Sequence, residues 1–182
     1  MRSILVATLI VLLPMLAGCP SGEDGSRCSS HSDCDDNLIC TDDECADPYG
    51  RRWRLSVVSA QLSAHDPTGD TWDSGGGDPD PFVVIKVDDA VVLTTQVKTD
   101  TRMATFEEST SFVLEKRTTF QATVYDDDIL FDSAVVTTGA QDVEEEELRA
   151  GQLSYAASTG PSRDGGVDNT EVTQLVLRWE LD

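Results

Sequence analysis

The chain has few basic side chains and few histidines. Its 13 lysine and arginine residues stand against 34 aspartate and glutamate residues, a formal net charge of −21 at pH 7. Nucleic-acid-binding proteins need clustered lysine and arginine to displace counterions from phosphates, so this charge balance excludes DNA and RNA as ligands.

Residues for catalysis are also scarce. The chain contains neither a Gly-x-Ser-x-Gly motif nor a phosphate-binding glycine loop, which removes two common signatures of an active site. Of the two histidines, His31 lies in a cysteine-rich stretch, and His65, beside Asp66, is the only base that a Ser-His-Asp hydrolase could use. A histidine in a turn is more often an ordinary surface residue, so we expect no enzyme.

No apolar run is long enough to cross a bilayer as a helix. The longest one extends from Ile4 to Met15, whereas a spanning helix needs about 20 residues. It follows Arg2 and precedes the small residues Ala17 and Gly18, an arrangement typical of an export signal that is removed on secretion.

The end of this segment resembles the lipobox of bacterial lipoproteins. The resemblance is carried by the tetrapeptide Leu16-Ala17-Gly18-Cys19. It implies a signal peptide at 1–18, lipidation of Cys19, and a linker to residue 27. Because Pro20 rather than an aspartate follows the cysteine, it also implies an outer-membrane location in the bacterial cell envelope. Several acyl chains would make a stable anchor, where one chain would be marginal.

No cysteine follows residue 45, and the total of five is odd. Lipidation of Cys19 accounts for the odd one. The other four fall within eighteen residues: Cys28, Cys34, Cys40 and Cys45. Their polar surroundings favour two disulfides, with three possible connectivities, over a zinc site, because no Cys-x-x-Cys pair is present. The segment 28–45 resembles short Cys-rich lipoprotein stalks, and we expect a stiff spacer joined by a linker, 46–52, to the rest.

Residues 53–182 have the alternation of an antiparallel β-sandwich. Leu175, Leu177, Trp179 and Leu181 face one way, with Arg178 and Glu180 opposite. Other strands are predicted around Trp53–Val57, Phe82–Val87, Val91–Val97, Ser111–Leu114, Phe120–Tyr125 and Ala134–Thr138. A short helix is predicted between a cap at Asp142 and Gly151, and loops at 63–77 and 158–170. Seven or eight strands over this length are typical of a sandwich.

Two clusters of aspartate lie at strand ends. One precedes the strand at Phe82 and the other follows the strand at Phe120; their members are Asp73, Asp78, Asp80, Asp126, Asp127, Asp128 and Asp132. Calcium takes six to eight oxygen ligands, mostly carboxylates and carbonyls, in irregular geometry, so loops can build its site. Carboxylates brought this close repel one another unless a cation is present. The alternative is that these are ordinary solvated turn aspartates.

At these residues the chain resembles the C2 domain family of calcium-dependent phospholipid-binding modules. The matching segments are Leu55-Ser-Val-Val-Ser-Ala-Gln-Leu62, Asp80-Pro-Phe-Val-Val, Lys98-Thr99 and Val124-Tyr-Asp126-x-Asp128. The resemblance implies an all-β, eight-stranded antiparallel C2-like sandwich at 53–182, in the permuted variant whose extra strand is C-terminal. It also implies calcium as cofactor, with Asp73 or Asp78 together with Asp80 as ligands from the first loop and Asp126, Asp128 and Asp132 from the third.

The sequence departs from the family pattern in its loops. Six residues, not five, separate Asp73 from Asp80, so that Asp78 is a substitute for Asp73. Only three residues separate Asp128 from Asp132, where five are usual, and the residues that normally follow the last ligand are replaced by Ala134-Val135. The last ligand is therefore the weakest part of the match.

The third loop carries three consecutive apolar residues, Ile129, Leu130 and Phe131. At an exposed tip they would contact a membrane or a partner, and the alternative is that they turn inward and close the sandwich. Only two lysines could lie on a basic strand face, so phosphoinositide binding is not predicted. We expect a surface-anchored, calcium-binding module for anionic phospholipid or an unidentified protein. A calcium-independent structural or adhesion lipoprotein is the alternative.

Overall fold

The computed structural model describes residues 22–65, 70–73, 76–127, 133–138, 140–158 and 172–182. The predicted signal peptide, Cys19 and the third-loop residues 128–132 lie outside the described residues. No helix within these ranges is long and apolar enough to cross a membrane.

The described residues form two antiparallel sheets packed face to face, preceded by a small hairpin. The strands are β1 (Ile39–Thr41), β2 (Glu44–Ala46), β3 (Arg51–Gln61), β4 (Pro81–Val87), β5 (Ala90–Thr94), β6 (Met103–Leu114), β7 (Thr119–Asp126), β8 (Ser133–Thr137), β9 (Gln141–Asp142), β10 (Gln152–Ser158) and β11 (Val172–Leu181), with one short helix, α1 (Glu145–Ala150). The sheets have the orders β10-β11-β3-β6 and β5-β4-β7-β8, and β9 adds to β7. The predicted sandwich is confirmed, and the last strand lies beside the first, as the permuted variant requires.

Alternation along the strands places one face of each sheet in a shared core. Leu175, Leu177 and Trp179 are at most 2% exposed, as predicted. The Trp179 ring meets Phe120 edge-on with centroids 5.7 Å apart. Leu181 was expected on the same buried face, but it is the last residue of its strand and is 39% exposed.

Several strands differ from the sequence prediction: β5 ends at Thr94 rather than Val97, and the short β9 was not predicted. β6 begins at Met103, well before the predicted start at Ser111, since a bulge with Glu107 at φ 53° interrupts its alternation. β10 was not predicted, because it is an edge strand whose apolar residues, Leu153 and Tyr155, are only half-buried. α1 ends at Gly151 (φ 69°) as predicted, but its N-cap is Glu144, because Asp142 belongs to β9.

The N-terminal segment is a disulfide-bonded hairpin. Cys28 pairs with Cys40 and Cys34 with Cys45, which confirms two disulfides and selects one of the three connectivities. The turn between β1 and β2 holds Asp42 and Asp43 at φ 53° and 64°. Positive φ at both central residues matches the strand twist and is tolerated by aspartate. We call residues 22–46 the Cys-rich module.

The Cys-rich module packs against the sandwich, although the sequence predicted a separate spacer. Ile39 of β1 is 1% exposed and belongs to the same buried cluster as Leu148 and Trp179. The Arg149 guanidinium of α1 donates to the carbonyls of His31 at 2.6 Å and Asp35 at 3.1 Å. The module is therefore part of one packed unit with the sandwich.

The two ends of the sandwich carry different features. Pro81 pairs with Asp126 and Gln61 with Met103 at one end, which we call the acidic end. At the other, the module end, Arg51 pairs with Leu114. β3 runs from one end to the other, and its 11 residues, rising about 3.3 Å each, extend about 33 Å.

Candidate metal-binding site

Three connections meet at the acidic end: the described residues between β3 and β4, residues 95–102, and Asp127 directly after β7. Thr101 donates its N–H to the carbonyl of Pro79 at 2.8 Å and Lys98 donates to that of Pro81 at 3.0 Å. From the third loop, Asp127 donates to the carbonyl of Asp80 at 3.1 Å. Backbone hydrogen bonds thus hold all three loops on Asp80 and its neighbours.

Four aspartates at this end are joined in a series by their carboxylates, which accept backbone N–H groups. Asp126 Oδ1 accepts the N–H of Asp80 at 2.7 Å, and Asp80 Oδ1 accepts that of Asp100. Asp100 Oδ1 in turn accepts the N–H of Asp78 at 2.9 Å. Hydrogen bonds from N–H groups to a carboxylate are stronger than those between neutral groups, so they offset part of the mutual repulsion of the acidic side chains.

Asp126 is the innermost of these residues. It is 2% exposed at the end of β7, and its backbone is fixed by pairing with Pro81. A carboxylate this deeply buried has a large desolvation cost unless hydrogen-bonded or charged partners surround it. Asp126 is thus the most buried of these aspartates, and it accepts the N–H of the half-buried Asp80.

The Asp73 carboxylate reaches the same place because residue 77 is a glycine. A Cβ added to Gly77 would lie 2.6 Å from Asp73 Oδ2 and 3.4 Å from Asp100 Oδ1. The missing side chain is therefore what admits the Asp73 carboxylate. The backbone N–H of Asp78 donates to the Asp100 carboxylate. The Asp78 carboxylate itself pairs with Arg102, whose Nε is 3.1 Å away. The sequence offered Asp73 and Asp78 as alternatives, and the structure brings both to the site with their carboxylates differently engaged.

One residue of the site was missed in the sequence. Asp100, in the loop between β5 and β6, accepts from Asp78 and donates to Asp80. Its φ of 50° is a conformation that aspartate adopts more readily than most residues. The signal was present, because Asp100 directly follows Lys98-Thr99, which matches the family pattern. Of the other predicted residues, Asp128, Asp132, Ile129, Leu130 and Phe131 lie outside the described residues.

The donor set fits calcium. Asp73, Asp80, Asp100 and Asp126 offer hard carboxylate oxygens from three segments of the chain, and calcium tolerates such irregular shells. Among the described residues, the sole group of three possible ligands with atoms within 4.8 Å of one another is Cys28, Cys34 and Cys45, whose sulfurs are in disulfides. No three of the described aspartates have carboxylate oxygens within that distance of one another, and Asp80, Asp100 and Asp126 accept backbone N–H groups in this conformation.

The residues next to His65 bond to the loop backbone. The backbone carbonyl of His65 accepts a hydrogen bond from the Ser63 hydroxyl, and the Ser63 carbonyl accepts the indole N–H of Trp72 at 2.9 Å. This serine hydroxyl therefore serves the loop backbone and is not directed at the imidazole as a nucleophile would be.

Comparisons with known proteins agree with the fold. Residues 51–153 match the model of the C2 domain. A structure of human GIVD cytosolic phospholipase A2 with an inhibitor and terbium chloride aligns with a TM-score of 0.50 at 16% identity, over 70% of this chain and 16% of the phospholipase. The calcium-bound pair of C2 domains from extended-synaptotagmin 2 also aligns with a TM-score of 0.50 at 16% identity, over 73% of this chain and 46% of that one. The chain thus spans less than half the length of either protein, and identities this low indicate the fold alone. A search of curated protein sequences found no match.

Proposed function

The chain belongs to the C2 domain family, and on that basis we propose that it is a calcium-dependent module that binds anionic phospholipid surfaces. The observation that carries the proposal is the meeting of three loops at Asp80, which joins Asp126 of the third loop to Asp100 of the second. Loops at one end of a sandwich, each bringing carboxylates to one place, supply the kind of ligand set that calcium prefers.

The charge of the protein explains why calcium would control binding. At −21 overall, and with Asp73, Asp78, Asp80, Asp100 and Asp126 at the acidic end, the protein is repelled by an anionic membrane surface. Calcium held between these carboxylates would cancel local negative charge and offer open coordination positions to lipid phosphates. Binding then depends on the cation and not on a basic protein surface.

We further propose that the protein is held in a bacterial cell envelope by lipid on Cys19, most simply in the outer membrane. The support is the lipobox-like Leu16-Ala17-Gly18-Cys19 after an apolar run. The pairing of all four remaining cysteines in disulfides agrees with an oxidising compartment.

A calcium-independent scaffold for protein binding is the second candidate. It is favoured by the series of aspartate-to-backbone hydrogen bonds, which satisfies these carboxylates with no cation, and by the Arg102–Asp78 ion pair at 3.1 Å. In that case the aspartates are structural, and the acidic end is already in its working form.

Calcium titration of chelator-treated protein distinguishes the two. A ligand that binds only the folded state at a hundredfold excess over Kd adds about 2.7 kcal/mol, which at about 2–4 °C per kcal/mol raises Tm by about 5–11 °C. Asp100→Asn should abolish most of this rise, because asparagine keeps the positive φ and the acceptor oxygen but loses the charge.

Asp89→Asn is the matched control. Asp89 also has a positive φ, 64°, but lies in the β4–β5 turn at the module end. It should leave the calcium response unchanged, in Tm and in isothermal titration. A Tm indifferent to millimolar calcium in the parent protein would refute the calcium-dependent function and leave the scaffold.

A further inference from the structure

The chain is fastened to the module end from its first described residue. Gly22 is buried, and its carbonyl accepts the N–H of Asp35 at 2.8 Å. The Asp35 carbonyl accepts Arg149 Nη1 at 3.1 Å, and α1, which carries Arg149, packs against β1 and β11. A rigid path of contacts therefore connects Gly22 to the end of the sandwich opposite the acidic end.

The covalent distance to the proposed anchor is short. Three residue steps separate Cys19 from Gly22, and an extended chain spans at most about 3.6 Å per residue, or about 11 Å in all. The acidic end is about 33 Å farther on, along the length of β3. If the strands stood upright with the acidic loops in the membrane that holds Cys19, the module end, to which Gly22 is fastened, would be about 33 Å above that membrane, roughly three times the reach of the tether.

A sandwich lying on its side satisfies the tether but does not direct the acidic loops at the membrane. In that orientation a sheet face or a sheet edge meets the membrane, while the loops at the acidic end point along its plane. The negative charge of the protein also disfavours close contact of its faces with an anionic surface. The upright orientation, with the acidic end pointing away, satisfies the short tether and leaves the acidic loops free to bind elsewhere.

We infer that the acidic end binds a second phospholipid surface facing the one that holds Cys19, so that the protein links two membranes. This inference rests on the proposed function and its anchor, and it adds the identity of the target. The lipid bound through calcium belongs to an apposed membrane, and the anchoring membrane supplies only the attachment.

Vesicle clustering by the full lipidated chain tests the inference. The protein is reconstituted in phosphatidylcholine donor vesicles and mixed with fluorescent acceptor vesicles that contain phosphatidylserine. Calcium should cause acceptors to sediment with donors, and chelator should release them. Adding phosphatidylserine to the donors as well should leave clustering unchanged, because the native tether prevents binding to the donor's own surface. Loss of clustering under that condition would overturn the inference.

A longer tether provides the matched control. A flexible Gly/Ser insertion of about 40 residues between Ser21 and Gly22 has an average reach of about 35 Å, enough for the acidic end to fold back. This variant should cluster acceptors when donors lack phosphatidylserine and lose most clustering when donors contain it. Equal behaviour of the native and extended chains with such donors would contradict the tether argument.

A soluble Cys19→Ala variant distinguishes failure of the inference from failure of the proposed function. If it binds phosphatidylserine vesicles with calcium while the lipidated chain fails to cluster them, the inference fails and the proposed function stands. If it does not bind them, the proposed function is refuted, and the inference is refuted with it.

Discussion

Ile39→Ala tests whether the Cys-rich module and the sandwich are one folding unit. Ile39 is 1% exposed and packs into the sandwich core, although it belongs to the hairpin strand β1. The substitution removes three carbon atoms at the junction while leaving both disulfides and the two Arg149 hydrogen bonds in place.

Burial sets the expected loss of stability. Truncating a buried isoleucine to alanine costs about 2–5 kcal/mol, and the lower part of this range applies where neighbours can close the cavity. A three-residue strand at a domain edge can shift inward, so we expect a loss of about 2–3 kcal/mol. At about 2–4 °C per kcal/mol for a chain of this size, Tm should fall by about 4–12 °C.

Thermal unfolding followed by far-ultraviolet circular dichroism measures this change, since the signal is dominated by the sandwich strands. Leu38→Ala is the matched control: Leu38 is 7% exposed, but it packs among the half-cystines Cys28, Cys34 and Cys45 inside the module. It should lower Tm by much less, because the disulfides hold that cluster. An unchanged Tm for Ile39→Ala would show that the module is an independent spacer, as the sequence had indicated.

Three further predictions concern single charges. Arg102→Gln should tighten calcium binding up to about fivefold in isothermal titration, because it removes a cation from Asp78 in an exposed ion pair worth about 0.2–1 kcal/mol; weaker binding would contradict this. Burial raises the pKa of Glu147, so its charge destabilises the fold once pH rises above its unfolded value; Glu147→Gln should raise Tm slightly at pH 7 and not at pH 3. Burial, with the charge of Arg149, lowers the pKa of His31, whose Nδ1 accepts the Cys40 N–H at 2.9 Å. Stability should therefore fall as pH drops below about 6.5, and a Tm-versus-pH profile should be flatter in His31→Asn.

Much of the fold followed from local patterns. Alternation in β11 identified its buried face, because a strand packed on one side must separate apolar from polar residues at every step. Cysteine number and spacing predicted two disulfides, and Gly151 marked the end of α1. Strands with weak alternation were not predicted correctly. The bulge at Glu107 hid the start of β6, and the small residues of β10 gave no strand signal.

The candidate site was likewise predicted only in part. Asp73, Asp78, Asp80 and Asp126 could be named because aspartates next to strands are visible in the sequence. Asp100 was missed although it directly follows Lys98-Thr99, because a lone aspartate in a short loop joins the site only when pairing of β4 with β7 and of β3 with β6 brings three loops to one end. Which oxygen accepts which N–H, and the Arg102 ion pair with Asp78, depend on those contacts and on no local rule.

The sequence by itself determined the all-β class, the two disulfides and the positions of most acidic residues, because each depends on periodicity or composition over a few neighbouring residues. Only the tertiary structure decided the disulfide connectivity, the packing of Ile39 into the sandwich core, and the placement of the Cys-rich module at the end opposite the acidic loops. These features join residues far apart in the chain, and their geometry is set by how two sheets and a hairpin pack, which no local segment encodes.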